Sequence, residues 1–152
     1  MKYYLDCEFD GLGGRLVSMA MVSETGKEFY VVITGPAKNQ WVHDNVMPIL
    51  FEIPTNSMRI IEYVTKKNIA GYIQEYFRDD FDICIIADWP DDIKYLCEAM
   101  ITGPGTMINI PKITFVVNRI DPYPTDLPNA VQHNALWDAQ ALKYKIEQGE
   151  TL

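Results

Sequence analysis

The sequence predicts an α/β fold: one mixed five-stranded sheet, its first three strands antiparallel, with helices on its faces. Three observations predict it. Three strand-like runs follow one another near the start, two short apolar runs lie in the second half, and three segments of helical period are interleaved with and follow them.

Residues 2–9 (KYYLDCEF), 15–22 (RLVSMAMV) and 27–34 (KEFYVVIT) are the first three strands. Ser23-Glu24-Thr25-Gly26 turns the second into the third, with Gly where positive φ costs least. Gly11, Gly13 and Gly14 mark the first connection as a flexible loop directly after an acidic strand. Residues 40–47 predict a short helix stopped by Pro48, and the rest of 35–64 reads as loop. Ile69, Tyr72, Ile73, Tyr76 and Phe77 recur at i, i+3, i+4, i+7 and i+8, an amphipathic helix with Thr65 as N-cap. Residues 82–87 (DICIIA) form a short buried strand. Pro90 then suits the first turn of a helix whose inner stripe is Ile93, Leu96, Cys97 and Met100, ended by Gly103-Pro104-Gly105. Ile113–Val117 is the fifth strand, followed by a loop broken by Pro122, Pro124 and Pro128. The last helix, Ala135–Glu147, starts at an Asn134 cap and turns Leu136, Ala139, Leu142 and Ile146 inward.

The 152 residues suit one domain, 1–152, and a hydrophobic content of 48% supplies a core without metal or disulfide staples. No apolar run reaches bilayer length, and MKYYLDCEFD lacks the apolar region of a signal peptide. A soluble, cytoplasmic protein with no membrane partner is therefore expected. Cys7, Cys84 and Cys97 form no C-x-x-C pair and read as reduced core residues rather than a zinc site. The formal net charge of −8 and the lack of a basic tail argue against a tight non-specific nucleic-acid binder. A carboxylate site whose cations offset part of that charge is compatible with it.

Three acidic clusters carry the chemistry. In Asp6-Cys7-Glu8 strand alternation puts both carboxylates on one face and Cys7 on the other, an arrangement that costs energy unless a cation sits between the acids. Ala87-Asp88-Trp89-Pro90-Asp91-Asp92 spans a strand-to-helix junction, where acids also complement the helix dipole. Asp92 precedes the apolar stripe and can face the sheet edge; Asp88, one turn earlier, is the alternative, and Asp91 points outward. In His133-Asn134-Ala135-Leu136-Trp137-Asp138, Asp138 sits on a rigid first turn while His133 lies just outside it. A ligand gains from fixity, and a base that must reach a water can use a loop. His43 has no such acidic motif around it.

Asp6 to Leu12 (D-C-E-F-D-G-L) resembles the first motif, D-x-E-x-x-G-L, of the DEDDh family of 3′–5′ exonucleases, which includes RNase T and oligoribonuclease. His133 to Ala139 (H-N-A-L-W-D-A) resembles its third, H-x-A-x-x-D-A. The second motif departs from the family's H-N-x-x-F-D: aligning the closing aspartate puts Asp92 in the ligand position, with Asp88 as the possible alternative. The resemblance spans most of the chain. It implies an RNase H-like fold, two Mg²⁺ or Mn²⁺ ions held by Asp6, Glu8, Asp92 and Asp138, and His133 as general base. It further implies hydrolysis of single-stranded nucleic acid from its 3′ end to nucleoside 5′-monophosphates. Similarity to short stand-alone bacterial and phage members favours RNA over DNA. The backbone near Phe9 and Asp10 would meet the 3′-hydroxyl, and Leu12 would wedge against the last bases. Trp89 is a candidate stacking platform or, equally, an anchor in the core. Lys66, Lys67, Lys112, Arg119, Lys143 and Lys145 are candidates for phosphate contacts, most of them ordinary surface. Several relatives dimerise, so a homodimer is compatible with the resemblance. Two other readings stay open: an RNase H-like endonuclease, and a catalytically silent nucleic-acid- or protein-binding module on the same fold.

Overall fold

A computed structural model describes residues 1–54, 57, 61–120 and 127–149, with backbone alone at 61 and 62. Strands β1 (Lys2–Phe9), β2 (Leu16–Ser23) and β3 (Glu28–Ile33) form the expected antiparallel meander. Helix α1 (Gln40–Asn45) is shorter than predicted, and Pro48 lies inside a 3₁₀ turn, Met47–Ile49, that extends it. Next come strand β4 (Ile61–Val64), helix α2 (Ile69–Tyr76), strand β5 (Ile83–Ala87) and helix α3 (Pro90–Met100). A small hairpin, β6 (Ile101–Gly103) and β7 (Thr106–Met107), precedes strand β8 (Ile113–Val117) and helix α4 (Ala135–Glu147).

The main sheet has six strands in the order β4-β3-β2-β1-β5-β8. β5 lies parallel to β1, β8 parallel to β5, and β4 parallel to β3. This mixed architecture is compatible with the RNase H-like fold. It corrects the expected strand count from five to six, since β4 was read as loop. Its register against β3 slips between Val31 and Ile33, and Tyr63 there takes φ +47. An irregularity of this kind in a four-residue edge strand erases the period-2 pattern by which strands are recognised. The β6–β7 hairpin was read only as a helix end. Its reversal uses Pro104 and Gly105, with φ +68 at Gly105, the residue choice of a type II turn. Helix α2 begins a turn later than the Thr65 cap implied: the N–H groups of Asn68 and Ile69 donate to the Thr65 carbonyl in a preceding turn. Tyr72 is exposed rather than part of the inner stripe, which consists of Ile69, Ile73, Tyr76 and Phe77. Pro122 and Pro124 lie outside the described residues, as does part of the loop read between 50 and 60.

Strand alternation divides the interior into two layers. Tyr3, Leu5 and Cys7 of β1 join Met19, Met21, Ile73, Ile85 and Leu96 beneath α2 and α3. On the other face Ala20, Val22 and Tyr30 pack against α1 and α4, where Ala135 and Ala139 let the last helix approach the sheet closely. Tyr4 and Ile86 meet Leu142 on the same side. Full burial of an aliphatic side chain such as Leu136 contributes roughly 1.5–3 kcal/mol. Among the described residues, no helix is long and apolar enough to cross a membrane.

Asn134 ties the start of α4 to the rest of the molecule. Its Oδ1 accepts from the N–H groups of Leu136 and Trp137, and its Nδ2 donates to the Ile49 carbonyl at 2.8 Å. The residue is fully buried. Asn134→Ala removes the cap and strands a buried carbonyl, so a loss of about 2–3 kcal/mol is expected in urea unfolding. A loss below about 0.5 kcal/mol would show the cap to be dispensable.

Candidate active site

Because β1 and β5 run parallel, their C-terminal ends reach the same edge of the sheet, the place where parallel α/β proteins gather loops and helix N-termini. Asp6 and Glu8 project from β1 towards α4, while Cys7 between them is buried in the opposite layer. Asp88 follows the end of β5 and therefore sits on the junction rather than one turn back in a helix. Asp92 and Asp138 lie in the first turns of α3 and α4.

These five acids converge. One carboxylate oxygen each from Asp6, Glu8 and Asp138 lie within 4.8 Å of one another, and so do oxygens from Asp6, Asp88 and Asp92. Asp6 belongs to both groups. Both candidates from the second motif, Asp88 and Asp92, reach the cluster. Backbone donors orient two of the acids: the Cys7 N–H donates to Asp92 Oδ1 at 3.2 Å, and the His133 N–H to Asp138 Oδ2 at 3.0 Å. The remaining oxygens, Asp92 Oδ2 and Asp138 Oδ1, are buried without a hydrogen-bond partner, as is Asp6 Oδ2. Orphaned buried carboxylate oxygens cost energy unless something positive occupies the space between them. Hard oxygen donors in two sets sharing one residue suit a pair of Mg²⁺ or Mn²⁺ ions.

Without cations, burial and mutual repulsion favour the protonated form of these acids. Burial, then the repulsion of Asp92, Asp138, Glu8 and Asp88, pushes Asp6 well above the usual carboxylate range. Burial followed by Asp138 raises Glu8 to about 8, and burial followed by Asp88 raises Asp92 to about 8. Asp138 rises to about 7, again mainly by burial, although the His133 N–H opposes the shift.

His133 stands at the rim in a left-handed conformation, φ +64. Its imidazole packs edge-on against Trp41, ring centroids 5.0 Å apart. Partial burial lowers its pKa, favouring the neutral ring. Trp89 is 45% exposed, so it is not a core anchor; its Nε1 donates to Asp91, and the Arg119 guanidinium lies 4.4 Å over its ring. Arg119 also donates to the Asp88 carbonyl.

The loop after β1 is tied down rather than slack. The Asp10 carboxylate accepts from the backbone N–H groups of Lys38 and Asn39, at 2.8 and 2.9 Å, and those bonds lower its pKa. On the other side Tyr95 Oη donates to the Gly14 carbonyl at 2.6 Å while its ring stacks on Phe9. A Cβ at Gly14 would fall 1.9 Å from the Asp10 carbonyl oxygen, so glycine there serves close packing rather than flexibility. Leu12 rides at the loop tip, 98% exposed. Trp41 and Tyr95 were not singled out from the sequence. Trp41 falls in a stretch of weak periodicity, and Tyr95 lies outside the stripe expected from the sequence; the inner face of α3 is instead Tyr95, Leu96, Ala99 and Met100, with Ile93 and Cys97 half-buried.

No family model matches the chain. It is similar to two proteins of Mycobacterium tuberculosis, from strains CDC 1551 / Oshkosh and H37Rv, each named a 3′-5′ exoribonuclease. Each is 27% identical over 157 residues, covering 92% of this chain and 88% of the relative.

The raised carboxylates set a pH dependence. A carboxyl whose folded pKa exceeds its unfolded value stabilises the fold below the unfolded pKa and loses that contribution as pH rises through the folded one. His133, lowered, works in the opposite sense, below the ordinary histidine range. In chelator, the melting temperature should therefore fall from about pH 5 to about pH 8, and Mn²⁺ should raise it far more at the upper end. A flat profile in chelator, measured by differential scanning fluorimetry, would argue that the acids are not mutually strained.

Proposed function

We propose that this chain is a metal-dependent 3′–5′ exonuclease of the DEDDh kind, acting on single-stranded RNA in preference to DNA and releasing nucleoside 5′-monophosphates. The observation that carries the reading is the convergence of five carboxylates from three separate segments into two ligand sets that share Asp6, with His133 tethered beside them. Similarity to two proteins named 3′-5′ exoribonuclease supports the choice of reaction and of RNA.

In this reading Asp6, Glu8 and Asp138 would hold one Mg²⁺ or Mn²⁺, and Asp6, Asp88 and Asp92 the other. When bound, such a pair supplies Lewis acidity to a phosphoryl oxygen and lowers the pKa of water. The unpartnered oxygens of Asp6, Asp92 and Asp138 fit that role, since nothing else among the described residues satisfies them. His133 takes the proton of the attacking water, and burial favours the neutral imidazole this requires. The water oxygen bonds to phosphorus, the bond from phosphorus to the preceding 3′-oxygen breaks, and that oxygen takes up a proton from solvent, to which His133 returns the one it accepted. The terminal residue departs as a 5′-monophosphate.

The loop presents the rest. Asp10 spends its carboxylate on Lys38 and Asn39, so it and Phe9 meet the terminal 3′-hydroxyl through the backbone. Leu12 stands clear of the surface to wedge against the last bases, and the exposed part of Trp89 offers a stacking face.

The test is digestion of an end-labelled single-stranded oligonucleotide with Mg²⁺, Mn²⁺ or EDTA, as RNA and as DNA. Stepwise shortening from the 3′ end, faster on RNA and abolished by EDTA, is expected. Internal cuts would replace the reading with an endonuclease, and no cleavage with either metal would leave a binding module. His133→Ala should keep the metal-induced rise in melting temperature yet lose turnover by ~10²–10⁴-fold. Undiminished turnover in that variant would remove His133 from the chemistry.

A further inference from the structure

We infer that a cleft at the β2 end of the loop 10–15 binds the phosphodiester backbone of the single strand upstream of the nucleotide being removed. The inference rests on the exonuclease reading and adds to it a source of affinity. Five carboxylates surround the proposed chemistry, and the whole chain carries −8. A polyanionic strand is repelled by such a surface unless cations elsewhere attract it.

The cleft supplies them. It encloses about 390 Å³ and is lined by three cations, Arg15, Lys66 and Lys94, against one acid, Glu98. That size falls in the range of roughly 300–1,000 Å³ typical of small-ligand sites. Arg15 directs its donors to the carbonyls of Leu16, Ile33, Gly35 and Pro36, none of them ionised. The Lys94 ammonium lies 4.5 Å over the Tyr95 ring, with Asp91 at the limit of pairing, 4.0 Å. Lys66 has no ion-pair partner among the described residues. In a second cavity, near Phe81, the one arginine, Arg78, is instead paired with Glu75.

Position also favours a continuous path. The loop begins after Phe9, the residue next to Glu8, and ends at Gly13, Gly14 and Arg15 in the cleft wall. Helix α3 links the same two places: Asp92 belongs to the acid cluster, while Lys94 and Tyr95 line the cleft. Tyr95 holds the loop between them through Gly14 and Phe9. Leu16, Ile69 and Ala99 contribute an apolar wall against which sugar faces can lie.

The experiment measures binding of a labelled single-stranded RNA oligonucleotide by fluorescence anisotropy in EDTA, as salt is varied. Lys66→Ala combined with Lys94→Ala should weaken binding and lower the slope of log affinity against log salt by about 1.4, from about 0.7 per lost phosphate contact on a single strand. In the metal-loaded enzyme the same pair should raise KM more than it lowers kcat. Lys66→Arg with Lys94→Arg should restore both readouts, and Lys2→Ala, at the opposite end of β1, should alter neither. An unchanged affinity and slope in the double alanine variant, with its circular dichroism melt intact, would overturn the inference. So would calorimetry in which inorganic phosphate binds the wild type but not that variant, if oligonucleotide affinity is the same in both. Failure of the exonuclease reading has a separate signature: no shortening from the 3′ end by the wild type, whatever the salt slope.

Discussion

Like charge held out of water is the constraint around which this molecule is organised. Five carboxylates meet at one edge of the sheet, three of their oxygens are buried without partners, and burial and mutual repulsion raise the pKa values of Asp6, Glu8, Asp92 and Asp138. No local preference assembles such a group. It persists because the surrounding structure over-determines it: β1 is fixed between β2 and β5, and α3 and α4 are packed on opposite faces of the same sheet. The two hydrophobic layers offset a cluster that without cations is a net cost.

The orientation of each acid follows from backbone geometry rather than from side-chain partners. Asp92 is aimed by the N–H of Cys7, near the C-terminal end of β1, so the second motif is hydrogen-bonded directly to the first. Asp138 is aimed by the N–H of His133, whose positive φ turns the chain into the Asn134 cap. Catalytic constellations need this kind of support, since a ligand that swings freely does not hold a metal in one geometry. The same principle governs the loop after Phe9, gripped by Lys38 and Asn39 on one side and by Tyr95 on the other. A rigid loop carrying one fully exposed leucine is suited to meeting a strand end, because little further ordering is needed on binding.

The acidic surface and the proposed substrate are reconciled by separating two tasks. Carboxylates gather at the proposed metal centre, and the cations of the protein itself gather elsewhere, around the cleft bounded by Arg15, Lys66 and Lys94. Net charge, being a sum over the whole surface, conceals that division.

Strand alternation and helix period made most of the elements legible in the sequence alone. Ile113–Val117 and Ala135–Glu147 fall where the pattern of apolar residues puts them, and Asn134 caps the last helix as its chemistry predicts. The motifs at the two ends likewise identified Asp6, Glu8, His133 and Asp138 as candidates, because a charged pair on an apolar strand and an acid in a first helical turn are local signals. Strand β4 escaped, since an irregular edge strand lacks alternation, and the glycine-rich loop looked slack because its ties run to residues distant in sequence. What the tertiary structure alone decided was that both Asp88 and Asp92 join the cluster and that Asp6 belongs to each half of it. Proximity between segments some eighty residues apart comes from parallel strand pairing and helix packing, which no local periodicity encodes.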